Sequence, residues 1–134
     1  MNLADVMQAL ADRLDTISGL RVFGYPPNKI TPPAVVVTYP ETYTFDAAYL
    51  RGMDRLEVPV VVLVGKVSDR ASRGTLGAYC DGSGASSVKA ILESGTYTAF
   101  DTVRVAKAVF DVISIAGVEF LAATFICDIT GRGA

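Results

Sequence analysis

Residues 103–129 read VRVAKAVFDVISIAGVEFLAATFICDI, two apolar segments of strand length separated by Ala116-Gly117. Both segments are rich in Val, Ile and Phe, side chains that fit a pleated surface. Two intervening residues are the length of a tight hairpin turn, and Gly117 can take a positive φ there. Residues 103–115 and 118–129 are therefore expected to pair as a long antiparallel hairpin, which commits the chain to a mainly antiparallel sheet. Asp101, Asp111 and Asp128 lie on or near this hairpin. Such acids can meet as a carboxylate dyad, but their ordinary role is a solvated strand face or charges guarding a sheet edge.

The segments upstream supply the other elements. Ser86 or Ser87 is placed to cap a short helix that turns Val88, Ile91 and Leu92 inward and ends near Gly95. Ser68 is placed to cap a helix over about 69–80, with Leu76, Tyr79 and Cys80 as its buried stripe. Residues 54–64 predict a strand that alternates at first and is apolar on both faces from Val58 onward, a pattern that calls for cover on both sides of the sheet. Pro59 has no N–H to give a ladder, so an edge or a bulge is expected there. Residues 34–39 predict a buried strand and 20–25 a short one, with the Pro26-Pro27 and Pro32-Pro33 pairs bracketing the loop between them. At the start, Leu3, Val6, Met7, Leu10, Leu14 and Ile17 recur at helical spacing. Asn2 fits the N-cap, Asp5 the first turn and Gly19 the position just past the end. The fold expected is α+β: one domain over 1–134, with a mainly antiparallel sheet of about five strands, one N-terminal helix and two shorter helices packed on it.

Composition narrows the function. A chain of 134 residues is the size of one domain and long enough for a proper core. Apolar residues make up 51% and charged ones only 19%, a balance that leaves apolar surface for partners. The net charge of −2 gives no footprint for general nucleic-acid binding. The longest apolar run, 58–64, is a strand rather than a membrane span, and the acidic first helix is unlike a signal peptide. Cys80 and Cys127 stand far apart, as in a reducing cytoplasm rather than a disulfide framework. The chain has no histidine, which removes Ser-His-Asp and Cys-His nucleophile systems. No catalytic set, metal set or cofactor is expected.

Gly82-Ser83-Gly84 invites a phosphate-loop reading, because helix N-termini after small residues cradle anions. A P-loop, however, follows a strand and ends in Gly-Lys-Ser/Thr. Here a helix precedes the glycines, and Lys89 is displaced beyond Ser87. Ser87 also stands where a dinucleotide fingerprint needs its third glycine. A helix-to-helix corner is the expected role. The stretch 40–55 is different: it is long for a hairpin connection, rich in tyrosine and without lysine, the composition of a protein interface. Tyr43, Phe45 and Tyr49 are the candidate anchors, with Arg51, Asp54 and Arg55 as directional charges. The simpler alternative is a surface loop packed under its own aromatics.

Several of these stretches together carry a family likeness. Arg51-Gly52-Met53-Asp54-Arg55, the strand 58–64, Ser68-Asp69-Arg70-Ala71, Tyr79 with Gly82-Ser83-Gly84 and Ser87-Val88-Lys89, and the closing AGVEFLAATF at 116–125 resemble the tail terminator proteins of long-tailed bacteriophages, especially those of actinobacteria. The likeness is strongest over 51–95. It implies a virion protein at the head-proximal end of the tail, assembled from the host cytoplasm as a homohexameric ring. Such a ring stops tail-tube polymerisation and meets both tail-tube protein and the head-tail connector. Genomic DNA passes through its lumen without specific binding, which suits a chain with no basic patch. Neither enzymatic activity nor membrane contact is implied. A neighbouring connector or stopper ring is the alternative within this class. Outside it stands a small ligand-binding domain or enzyme using the Gly82-Ser83-Gly84 corner.

Overall fold

Asn2 begins the first helix as its sequence position predicts: its side-chain oxygen accepts from the Asp5 amide at 3.1 Å, satisfying one of the free N–H groups of the first turn. The computed structural model describes residues 2–17, 20–23, 33–45, 53–66, 70–84, 86–115 and 117–132. In chain order these form α1 (Leu3–Leu14), β1 (Arg21–Phe23), β2 (Ala34–Val37), β3 (Thr42–Thr44), β4 (Met53–Lys66), α2 (Arg70–Tyr79), α3 (Val88–Glu93), β5 (Thr102–Ile115) and β6 (Val118–Arg132). The architecture is α+β, with a sheet of six strands where about five were expected. The expected features at Gly19, Pro26-Pro27, Pro32 and Ser68 lie outside the described residues, as do Tyr49 and Arg51.

The sheet order is β1-β2-β4-β6-β5, and β3 also pairs with β4, beyond the end of β2. All neighbouring pairs are antiparallel except β1 with β2. The hairpin of β5 and β6 closes from Ile115↔Val118 through a two-residue turn in which Gly117 has φ +81°. An L side chain is strained at that angle, so glycine is required. β6, the last strand in the chain, lies between β4 and β5 and is paired along nearly its whole length on both sides.

All three helices cover one face. Val6, Leu10 and Leu14 of α1, Leu76 and Tyr79 of α2, and Val88 and Leu92 of α3 are buried with Val58, Val60, Val62, Phe125, Cys127 and Ile129 in a single cluster. Fully burying an aliphatic side chain of this kind contributes roughly 1.5–3 kcal/mol, so this face provides most of the stability. On the other face the expectation of matching cover is not met by any described helix. Val36, Leu63, Phe120 and Ala122 form a small second cluster, with Phe23, Val61 and Ile113 against it. Side chains in the middle of the sheet are shielded there by those on neighbouring strands.

Pro59 departs from its expected place. It lies inside β4, a strand paired on both sides, rather than at an edge. Its carbonyl accepts from the Thr38 amide at 3.1 Å and the Thr38 hydroxyl at 2.8 Å. Within a strand a residue's N and O point the same way, so the missing N–H faces the end of β2 at Thr38, past the last pair of the β2–β4 register, Val37↔Val60. The bulges lie elsewhere. One falls between Leu63 and Gly65 against β6, with Gly65 at φ +150°, and the other between Val105 and Lys107 of β5.

Candidate functional site: the two edges of the sheet

The segment singled out for its aromatics divides into an inward and an outward part. Tyr43 lies on β3 opposite Leu56, on the helix-covered face, and packs against the core. Its hydroxyl donates to Asp54 Oδ2 at 2.9 Å, and Asp54 is itself buried. Burial, and then the hydrogen bond to the Asp54 carboxylate, push the Tyr43 phenol above its usual pKa. Tyr43 and Asp54 therefore hold β3 and β4 together from within, so Tyr43, a candidate interface anchor, also has a structural role in its own chain. Phe45 stacks on Tyr43 with ring centroids 4.3 Å apart, yet remains 71% exposed. Tyr39, just after β2, is 66% exposed. Among the described residues, Phe45 and Tyr39 are thus the large exposed apolar groups on this side of the sheet.

Arg55 is on the face away from the helices. Its Nη2 lies 3.0 Å from Asp128 Oδ1 and 3.6 Å from Glu57 Oε1. Glu57 and Asp128 sit directly opposite each other on β4 and β6, a like-charge pair that the guanidinium offsets. The Asp128 hydrogen bond, then its charge, hold the Arg55 pKa up. Arg55 and Asp54 point to opposite faces of β4, so they do not form one charged cluster. Nor do the three hairpin acids converge. Asp128 pairs with Arg55, Asp111 bonds the Val112 amide at 2.7 Å, and Asp101 precedes β5 at its far end.

The Gly82-Ser83-Gly84 corner joins α2 to α3, as expected. Its polar groups turn onto their own chain: the Ser83 amide donates to Asp81 Oδ1 at 3.3 Å and the Ser87 amide to the Gly84 carbonyl at 3.2 Å. Ser87 Oγ accepts from the Ala90 amide at 3.1 Å and donates to the Asp81 carbonyl. Of the two residues expected to cap α3, Ser87 does so. A cleft of about 350 Å³ lies elsewhere, between α1 and residues 96–98. Its Arg13 is committed to the Ile91 carbonyl at 2.8 Å and Ser94 Oγ at 3.0 Å. Among the described residues no three acids or cysteines are grouped to hold a metal, and no helix is long and apolar enough to cross a membrane.

The surface that sequence reasoning missed is the opposite edge. β5 pairs only with β6 among the described strands. Because Pro59 faces β2, its partner Ile126 directs its N and O toward β5, where it meets Lys107. Lys107, Val109, Asp111 and Ile113 consequently bond to β6, while Ala108, Phe110, Val112 and Ser114 point their backbone groups outward. Carboxylates on two outward amides agree with this alternation: Glu93 Oε2 on Val105 at 2.9 Å and Asp111 Oδ1 on Val112. Phe110, Val112 and Val109 are 59%, 44% and 48% exposed, the first two on the helix-side face and Val109 on the other. A long edge with open backbone groups and apolar side chains on both faces is a template for strand addition. Its sequence signal was the run Val109-Phe110 with Val112-Ile113, apolar on both faces, which reads equally well as a buried strand.

No protein-family model matches this chain, and no curated protein matches it.

Proposed function

We propose that the chain is a structural ring subunit, a tail terminator of a long-tailed bacteriophage. In this role, homohexameric rings end tail-tube polymerisation, join the tail to the head connector and leave a channel for DNA. The observation that carries the proposal is the placement of exposed apolar side chains on both borders of one sheet: Phe110 and Val112 along β5, Phe45 and Tyr39 beside β3 and β2. Closure of a ring needs two different surfaces on each copy, one meeting the other on its neighbour. At the Gly82-Ser83-Gly84 corner, which an enzyme or ligand-binding domain would use, the Ser83 amide is turned onto Asp81, and the Ser87 and Ala90 amides that follow it are bonded within the chain. Joining tail to head is a contact function, and apolar edges serve it without a cofactor.

Tail-tube protein is the partner to test, since a connector ring would ignore it. Mixed with purified tube protein, the chain should give closed rings at tube ends by electron microscopy. Phe110→Ser and Phe45→Ser should each leave a folded chain whose rings fail to close. Asp5→Asn with Asp12→Asn, on the exposed side of α1, should close normally. Unaltered rings from both phenylalanine variants, or no binding to tube ends by the parent chain, would refute the proposal.

A further inference from the structure

The segment Lys107-Ala108-Val109-Phe110-Asp111 of β5 is complementary to itself. We infer that, before assembly, two copies of the chain pair through this edge, antiparallel and centred on Val109, as a two-fold dimer. The inference does not depend on the ring proposal. In this register Lys107 of each copy stands directly opposite Asp111 of the other, Val109 meets Val109, and Ala108 faces Phe110. Lys107 and Asp111 are both exposed and share the face of β5 away from the helices. Lys107 has no ion-pair partner among the described residues.

The backbone alternation fits the same centre. Ala108 and Phe110 point their N and O outward, so Ala108 of one copy and Phe110 of the other would exchange both hydrogen bonds. Val109 and the two Lys107–Asp111 pairs then occupy the non-hydrogen-bonded positions, where facing side chains lie closest. The smallest side chain of the segment faces the largest, leaving room for the Phe110 ring. Neighbouring registers lose this match. A centre at Asp111 or Lys107 sets like charges against each other, and a centre at Ala108 or Phe110 leaves each charge opposite an apolar residue. The irregularity at Ala106, between Val105 and Lys107, limits the pairing to a short stretch. Such a contact is smaller than a standard interface, so the dimer is expected to be weak and to loosen with salt. A two-fold contact ends with two copies, which keeps the edge covered without starting a polymer.

The test combines a cross-link with a charge exchange. Facing Val109 residues at a non-hydrogen-bonded position have Cα atoms about 4.5 Å apart, within the span of a disulfide. In a Cys80→Ala background, with Cys127 buried and retained, Val109→Cys should oxidise to a covalent dimer, and Ser114→Cys should stay monomeric. By sedimentation, Lys107→Asp should weaken dimerisation at least about tenfold, and Lys107→Asp with Asp111→Lys should restore it to within about threefold of the parent. Circular dichroism of each variant confirms folding, and the double exchange recovers dimer only if the strand remains intact. A parent chain monomeric up to about 1 mM overturns the inference. So does a dimer insensitive to Lys107→Asp. Failure of Val109→Cys to cross-link before tube protein is added also overturns it while leaving the ring proposal standing. A cross-linking dimer whose parent never binds tube ends supports the inference and refutes the ring.

Discussion

Cys127 shows how far a single side chain can be removed from its solution chemistry. It is fully buried between Val105 and Val58 on its neighbouring strands. Burial first, then the charges of Asp128 and Glu93, push its thiol from 9.0 up to about 12. The folded value is raised above the unfolded one, so the contribution to stability is complete below about pH 9 and disappears as the pH climbs toward 12. Burial raises Tyr79 and Tyr97 in the same direction. Urea unfolding midpoints should therefore hold steady from neutral pH to about 9 and fall steeply above it. Cys127→Ala should be less stable at neutral pH from the lost packing, but decline less steeply in the alkaline range. An equal slope for the variant would mean that Cys127 titrates no differently in the folded chain. At this scale the sequence was partly legible. Cys80 packs against the core, as expected from its place in a helical stripe with Leu76 and Tyr79. The structural role of Tyr43 was not legible, since its inward direction depends on pairing with β4 at Leu56, and three residues of alternation in Thr42-Tyr43-Thr44 are too few to reveal a strand.

Among the elements, the α2–α3 corner separates the roles of residues that look interchangeable in sequence. Gly84 has φ +106°, whereas Gly82 has no positive φ, and a Cβ at either would meet open space. Gly84→Ala should thus cost about 1 kcal/mol or more through backbone strain alone. Gly82→Ala should be within about 0.5 kcal/mol of the parent. Ser87→Ala removes the cap of α3 and a part-buried bond to the Asp81 carbonyl, and should cost about 1–2 kcal/mol. Denaturant titrations of the three variants read these differences directly, and equal losses at both glycines would contradict the assigned geometry. The helices and the hairpin were legible because caps, periodicity and turn residues are local signals. Pro59 was not, because what it faces is the end of β2 at Thr38, 21 residues earlier in the chain.

For the whole molecule, the order of strands predicts a gradient of protection. Amides of β4 and β6, paired on both sides, should exchange slowest with solvent deuterium. Along β5 in dilute solution, Lys107, Val109, Asp111 and Ile113 should be protected, with Ala108, Phe110 and Ser114 exchanging much faster. Uniform protection along that strand at low concentration would show that the edge is covered within one chain. The α+β class, the helices and the antiparallel hairpin could all be read from the sequence. The exposure of the β5 edge could not, since a strand apolar on both faces looks the same whether or not a neighbour covers it.

The placement of β6 also sets the timing of folding. Its pairing with β5 needs only a two-residue turn, and contacts so close along the chain form within microseconds. Its pairing with β4 joins residues as far apart as Met53 and Arg132, and must first bear the entropy of closing a long loop. The step expected to be slow is thus the docking of the β5–β6 hairpin onto β4. Until that happens, the apolar run of β4 lacks its central neighbour, and crowding and temperature weigh most heavily on the chain's fate during that interval.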